Sequence, residues 1–166
     1  MKYSYNKSKE GVAFAQVYDV NASFKDLGAV CDAIRYKKVN DALKILEDVA
    51  NMERPIEYKK HNKHMGARHE LGGRKGAFPQ KAAKIVMKTL RNAIANSSSL
   101  SINVDNAVVI HACANKTKIY RRVPPRGSMW WGRGMYRAHR MYSDLEFAKV
   151  EIGITDNKDL IKEASS

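Results

Sequence analysis

The chain has 166 residues, of which 44% are hydrophobic and 28% charged, a size and composition that fit one folded domain and exclude a wholly disordered chain. Its 30 Lys and Arg against 17 Asp and Glu leave a formal net charge of +13, which indicates a polyanionic partner such as nucleic acid or an anionic membrane surface. Because no apolar stretch reaches the roughly 18 to 20 residues of a spanning helix, and the N-terminus lacks an apolar signal core, we expect no membrane insertion and a cytoplasmic protein.

The excess charge is concentrated in two stretches. Residues 1–53 hold 8 basic and 8 acidic groups, whereas residues 54–91 hold 11 basic and 2 acidic groups. Residues 115–140 hold 8 basic groups and no acidic group. The sequence therefore predicts a nearly neutral fold that carries two basic elements.

A strand and two short helices are predicted first along the chain. Apolar and mixed positions alternate over residues 11–20, which is typical of a half-buried strand. Apolar residues then recur at helical spacing up to about Tyr36, after a possible cap at Asn21 or Ser23. The same spacing returns after Asn40 and predicts a second helix, which ends before Arg54.

Residues 54–78 show no sustained period and contain four glycines and three of the five histidines. We expect a long basic loop that covers RNA, because long loops in compact domains are usually functional. His61, His64 and His69 lack a Cys or acid at a spacing that zinc would need, so no metal is expected. The candidate RNA-binding residues of this loop are Lys59, Lys60, His61, Lys63, Arg68, Arg74 and Lys75.

A long helix is predicted from Pro79 to about Asn96, since proline suits the first turn and apolar residues then follow one face. Its other face is basic, which is also ordinary for a surface helix. Residues 107–114 and 146–155 are the best later strand candidates, and we expect them to pair antiparallel. His111 in the first of them is expected to be a sheet histidine with its hydrogen bonds satisfied. Residues 1–155 would form one domain and residues 156–166 a polar, frayed C-terminal tail.

The segment between these strands is rich in Arg, Gly, Pro and aromatic residues, and it contains both tryptophans. Arg and Lys can bind phosphates while aromatic rings stack on exposed bases, which suits folded RNA better than B-DNA. A solvated loop with its aromatic residues folded back is the alternative. We expect an extended β-ribbon whose candidate RNA-binding residues are Lys116, Lys118, Arg121, Arg122, Arg126, Arg133, Arg137 and Arg140.

Nothing in the sequence argues for catalysis. The glycine-rich pieces at 72–76 and 132–134 match neither a phosphate-binding loop nor a dinucleotide fingerprint. Cys31 and Cys113 lie in apolar contexts, so each is expected to be a buried free thiol. We therefore predict a non-enzymatic protein with no cofactor. Two other functions stay open, a free-standing RNA-binding chaperone or regulator and an RNA-modifying enzyme that uses His111, His139 or a glycine-rich loop.

The order of these features resembles a known family. The helix opens with Phe-Pro-Gln-Lys-Ala-Ala-Lys at 78–84 and ends with Ala-Ile-Ala-Asn at 93–96, and a strand and a basic ribbon follow. This arrangement is similar to the large-subunit ribosomal protein twenty-two family over about residues 12–155. The basic loop that begins at Arg54 is similar to the insertion of its archaeal and eukaryotic branch.

The resemblance implies an α+β fold, in which a small antiparallel sheet packs with about three helices and carries a long protruding β-hairpin at about 115–145. It further implies a location in the large ribosomal subunit, where the hairpin crosses ribosomal RNA and helps line the polypeptide exit tunnel. Neighbouring large-subunit proteins and the nascent polypeptide would be further partners. The implied hairpin tip comprises Met129, Trp130, Trp131, Gly132, Arg133 and Gly134.

The chain departs from the family pattern at two places. Residues 22–26 read Ala-Ser-Phe-Lys-Asp where the family often has Ser-Pro followed by basic residues. We therefore expect no RNA contact of the bacterial type there. Trp130 and Trp131 stand where small or basic residues are expected.

Overall fold

A computed structural model describes residues 3–7, 9–120 and 145–165. Its strands are β1 (Ala13–Asn21), β2 (Ile56–Glu57), β3 (Ala67–Arg68), β4 (Arg74–Ala77), β5 (Val108–Tyr120) and β6 (Leu145–Thr155). Its α-helices are α1 (Phe24–Ile34), α2 (Val39–Ala50), α3 (Gln80–Ser97) and α4 (Lys158–Ser165), and single 3₁₀ turns lie at His69–Leu71 and Ser98–Leu100. The α+β class expected from the sequence is confirmed.

The main sheet of the described chain has the strand order β1-β6-β5, and both pairings are antiparallel. In the centre of β6, Ile152 pairs with Ala15 on one side and with Ala112 on the other. The predicted antiparallel pairing of the two late strands is therefore confirmed. Both strands also extend beyond their predicted ends, to Tyr120 and back from Leu145, and these two residues are paired.

Three helices cover one face of this sheet and form the main core. The apolar faces of α1, α2 and α3 supply Leu27, Leu46 and Leu90, all fully buried. They pack with Ile152 and Ile154 of the central strand. The helical spacing of apolar residues predicted these three helices within a few residues of their observed ends.

The basic segment, residues 54–78, is not the unstructured loop that its sequence suggested. Strands β2, β3 and β4 form a small antiparallel sheet in the order β2-β4-β3. The 3₁₀ turn at His69–Leu71 lies between β3 and β4 along the chain. Strands of two to four residues are too short to show an alternating pattern, which explains why the sequence did not reveal them.

The C-terminal residues, expected to be a frayed polar tail, form helix α4 instead. Leu160, Ile161 and Ala164 pack on a second apolar cluster that contains Val12 and Ile110. This cluster lies on the sheet face opposite the three larger helices. The tail expectation was wrong because three apolar residues in one short helix suffice when a sheet face is already present to receive them.

The same second face buries a carboxylate. Glu151 of β6 is fully buried and pairs with Lys149 Nζ. The backbone N–H and hydroxyl of Ser4 each donate to Glu151 Oε2 at 2.7 Å, and His111 Nε2 lies 3.3 Å from the same oxygen. Burial alone would raise the pKa of Glu151, but these hydrogen bonds and the lysine outweigh it and lower the pKa to about 2.

His111 and the cysteines have ordinary structural settings. Burial lowers the pKa of His111 despite the opposing effect of Glu151, so this histidine is neutral at pH 7 and its contact with the carboxylate satisfies it. Both cysteines are free thiols. Cys31 is buried, and burial raises its pKa to about 12, whereas Cys113 is only half-buried.

Candidate nucleic-acid interface

The basic segment presents most of its predicted RNA-binding side chains to solvent. Lys59, Lys60, Lys63 and Lys75 are exposed, and so is His61. Within the part of the chain that the structure describes, His61, His64 and His69 belong to no group of three or more side chains that could hold a metal ion. The surface is thus a cationic one that can bind phosphates but carries no metal cluster among the described residues.

Buried residues hold this small sheet against the rest of the domain. Ile56 and Tyr58 are nearly fully buried, and the Tyr58 hydroxyl donates to Asp26 Oδ1 on α1 at 2.8 Å. Burial and this hydrogen bond raise the pKa of Tyr58. Gly76 is required because a Cβ there would lie 2.7 Å from the Ile56 carbonyl oxygen. The basic segment therefore presents its lysines from a sheet that is fixed to α1.

Two of the predicted RNA-binding arginines already have protein partners. Arg68 is half-buried, its Nε donates to the Gly76 carbonyl at 3.1 Å, and its guanidinium lies 5.4 Å from the centre of the Phe78 ring. Arg74 pairs with Glu57 at 2.9 Å. Arg68 thus helps to hold the small sheet together, while Arg74 is exposed and can also reach a phosphate.

The two basic elements meet at Phe24, the first residue of α1. The Lys116 Nζ of β5 lies 5.1 Å from the centre of the Phe24 ring. The His61 ring of the basic segment lies 5.6 Å from the same ring in an edge contact. Residues that are far apart in the sequence are therefore neighbours on one surface.

Sequence reasoning missed Phe24, which lies in the stretch where we expected no RNA contact of the bacterial type. The available signal was a lone aromatic residue in a polar stretch directly after a possible helix cap, which does not by itself distinguish core from surface. What the sequence could not show is that β5 and the basic segment approach α1 from two sides. In the structure Phe24 joins the two elements that sequence analysis treated separately.

The base of the predicted ribbon is held by contacts across the central strand. Both outer strands have a register irregularity here, between Val17 and Val20 in β1 and between Lys116 and Lys118 in β5. Asp19 lies in the first of them with a left-handed backbone conformation. It accepts a hydrogen bond from Thr117 at 3.2 Å and lies 3.5 Å from Lys118 Nζ. Lys116 and Lys118 are exposed.

The rest of the predicted ribbon lies outside the described residues. This applies to Arg121, Arg122, Arg126, Arg133, Arg137 and Arg140, and to the predicted tip formed by Met129, Trp130, Trp131, Gly132, Arg133 and Gly134. Their assignment to RNA or to a tip stays a prediction from the sequence.

Within the described residues, no helix is long and apolar enough to cross a membrane.

A family model and several known proteins are similar to this chain. A family model described as ribosomal protein L22p/L17e matches residues 15–143, a span that includes most of the predicted ribbon. The large ribosomal subunit protein uL22 of Archaeoglobus fulgidus is 42% identical over 130 residues, which cover 76% of this chain and 83% of that protein. Those of Methanosphaera stadtmanae and Staphylothermus marinus are 37% and 33% identical, over 75% and 90% of this chain and 82% and 96% of theirs.

Proposed function

The chain belongs to the ribosomal protein L22p/L17e family, and on this premise we propose that it is a structural, non-enzymatic constituent of the large ribosomal subunit in the cytoplasm. Its partners are large-subunit ribosomal RNA and the neighbouring proteins of that subunit. The basic segment and the ribbon both bind the RNA. The tip at residues 129–134 helps to line the polypeptide exit tunnel, where it meets the nascent polypeptide.

The convergence at Phe24 carries this proposal. Lys116 and His61 contact the same ring from the ribbon base and the basic segment, so both elements can engage one continuous stretch of folded RNA. A chain with two independent basic tethers would not need this arrangement. The shared surface therefore supports one fixed RNA interface.

Binding on this surface is driven by release of counterions from the phosphates. Each neutralised phosphate contributes about −0.7 to −0.9 to the slope of log affinity against log salt, so ten contacts would give a slope of roughly −7 to −9. Isolated protein should bind RNA with strong salt dependence. Within an assembled subunit, many interlocked contacts should hold it at salt concentrations that disrupt isolated binding.

Sedimentation of a cell lysate at moderate and at high salt tests the proposal. We expect the protein to co-sediment one-to-one with large subunits and to stay there at high salt. A protein that runs free, or that leaves the particles at modest salt, would instead be a transient RNA-binding chaperone or regulator.

Changing Arg121 and Arg122 together to Ala tests the role of the ribbon. We expect weaker incorporation into large subunits in competition with the wild type, because two phosphate-binding groups are lost. The folded domain should keep its circular dichroism spectrum and melting temperature. The matched control changes two exposed lysines outside the basic elements, Lys9 and Lys158, and should incorporate normally. Equal incorporation of both double variants would contradict RNA binding by the ribbon.

A further inference from the structure

Tyr36 is an exposed aromatic residue on a rigid turn between α1 and α2. Its side chain is 49% exposed, and its backbone adopts a left-handed conformation with φ of 63°. The turn is fixed to β5, because Tyr36 N–H donates to the Val109 carbonyl at 2.7 Å and Val109 N–H donates to the Lys37 carbonyl at 2.9 Å. A non-glycine residue held in this strained backbone conformation presents its side chain to solvent from a fixed point of the backbone.

The ring lies where two grooves meet. One groove, of about 660 Å³, runs between α1 and the small basic sheet, and Lys59 and Lys60 line it. The other, of about 560 Å³, runs along α2, and Lys38 and Lys44 line it. Tyr36, Lys37 and Arg54 border both grooves. The surface around Tyr36 is therefore continuous with the basic segment of the proposed RNA interface.

The charges of these grooves are strongly unequal. Among their acidic residues, Asp32 pairs with Arg35 at 2.8 Å and Glu57 pairs with Arg74 at 2.9 Å. Among the described residues, no ion pair within 4.0 Å joins an acid to any of the other lining cations, which are Lys37, Lys38, Lys44, Arg54, Lys59 and Lys60. Asp41 and Asp48 are the remaining acids of the lining. Six cations against two acids favour an anionic partner.

We propose that Tyr36 and the flanking lysines form a further RNA-binding surface, on which an unpaired base of ribosomal RNA stacks while the lysines bind its neighbouring phosphates. An exposed ring on a fixed backbone, with exposed cations on both sides, suits an unstacked nucleotide. Three of these lysines, Lys37, Lys38 and Lys44, belong to the part of the sequence whose net charge is zero. The inference rests on the proposed function and adds a surface to it.

Lysine acetylation read out by mass spectrometry tests this surface. The full-length protein is treated with sulfosuccinimidyl acetate in three states: free, bound to deproteinised large-subunit ribosomal RNA, and within intact large subunits. We expect Lys37 and Lys44 to react in the free protein and to be protected by the RNA alone. Protection in intact subunits only would assign the surface to a neighbouring protein and would overturn the proposal, as would reactivity in all three states.

The same experiment separates this inference from the proposed function. If Lys59 and Lys60 are protected by RNA while Lys37 and Lys44 are not, the proposed function stands and the further surface is wrong. If the wild-type protein binds neither the RNA nor the subunit, both fall together.

Substitutions at Tyr36 test the stacking contact. Tyr36→Phe keeps the ring and should bind deproteinised ribosomal RNA within twofold of the wild-type Kd. Tyr36→Leu removes the ring and should raise the Kd roughly 5- to 100-fold, the range expected for loss of one base stack. Melting temperatures of the two variants verify that both are folded. Equal Kd values for Tyr36→Leu and Tyr36→Phe would rule out stacking.

Paired lysine substitutions test the phosphate contacts. Changing Lys37 and Lys44 together to Ala should flatten the slope of log affinity against log salt by about one to two, as expected for two lost phosphate contacts. The Lys9 and Lys158 double variant should keep the wild-type slope. An unchanged slope for the Lys37 and Lys44 double variant would overturn the assignment of these lysines to phosphates.

Discussion

Glu151 shows how a single residue ties the N-terminal segment to the sheet. Its carboxylate is fully buried, yet Lys149, Ser4 and His111 all contact it. A buried carboxylate is tolerated only when it is paired and hydrogen-bonded, because an unpartnered charge would cost several kcal/mol. The strand pattern of β6 suggested only a polar position, since alternation cannot distinguish a solvated acid from a buried one.

The lowered pKa of Glu151 predicts a specific dependence of stability on pH. The pKa falls from 4.5 to about 2 on folding, so the ionised group stabilises the fold above about pH 4.5, and this contribution is lost as pH falls from 4.5 towards 2. Glu151→Gln should lower the free energy of unfolding by about 2 to 3 kcal/mol at pH 7. Urea unfolding of both proteins at several pH values measures the difference, which should shrink below pH 4.5.

The control for this prediction is Glu53→Gln, because Glu53 is exposed. It should change the free energy of unfolding by less than about 0.5 kcal/mol at each pH. A Glu151→Gln difference that stays constant from pH 7 to pH 3 would mean that the ionised carboxylate does not stabilise the fold.

Gly76 makes a second prediction at the scale of one residue. A methyl group at this position would meet the Ile56 carbonyl oxygen at 2.7 Å, so Gly76→Ala should force β2 and β4 apart and destabilise the small sheet by about 1 to 3 kcal/mol. Amide hydrogen exchange should accelerate at Glu57 and Tyr58. Gly66→Ala is the matched control, since nothing lies within 4 Å of its added methyl group. Equal exchange in the two variants would contradict this close approach.

At the scale of elements, the sequence predicts those helices and strands that are long enough to show a periodic pattern of apolar residues. The long helix α3 and the strands β5 and β6 have enough residues for their periodicity to be read. Strands β2 to β4 and helix α4 are short, and contacts with the rest of the domain stabilise them. Isolated helices shorter than about 12 residues are only marginally stable, so the local sequence pattern could not predict α4.

The packing of α4 predicts that it contributes to stability. Ile161 is partly buried against the cluster formed around Val12 and Ile110, so Ile161→Ala should lower the free energy of unfolding by about 1 to 2 kcal/mol, less than for a fully buried site. Chemical denaturation followed by circular dichroism measures this. Lys158→Ala, at an exposed position of the same helix, should change stability by less than about 0.5 kcal/mol. Equal stability of the two variants would indicate that α4 does not pack in solution.

At the scale of the whole molecule, the distribution of charge follows the fold more than the sequence. Charge counts along the sequence place the excess in residues 54–91 and 115–140 and give residues 1–53 a net charge of zero. In the structure Lys37, Lys38 and Lys44 of this part line grooves beside Arg54 and the basic segment, together with Asp32, Asp41 and Asp48. Asp32 pairs with Arg35, whereas Asp19 and Asp26 lie elsewhere and contact Lys118 and Tyr58. A sum along the chain cannot show which of these lysines lie beside the basic segment, because that depends on which elements are neighbours in space.

A net charge of +13 predicts opposite effects of salt on folding and on RNA binding. Like charges repel within the free protein, and salt screens that repulsion with a Debye length of about 10 Å at 0.1 M. Raising sodium chloride from about 20 to 300 mM should therefore raise the melting temperature of the free protein by a few degrees. The same change should weaken binding to deproteinised ribosomal RNA by several orders of magnitude, because each counterion released into more concentrated salt gains less entropy. Differential scanning calorimetry and filter binding measure the two effects in one buffer series. A melting temperature that falls with salt would mean that attraction within ion pairs of the domain outweighs the repulsion among its like charges. The excess basic residues would then not destabilise the free protein, and RNA binding would have no repulsion to relieve.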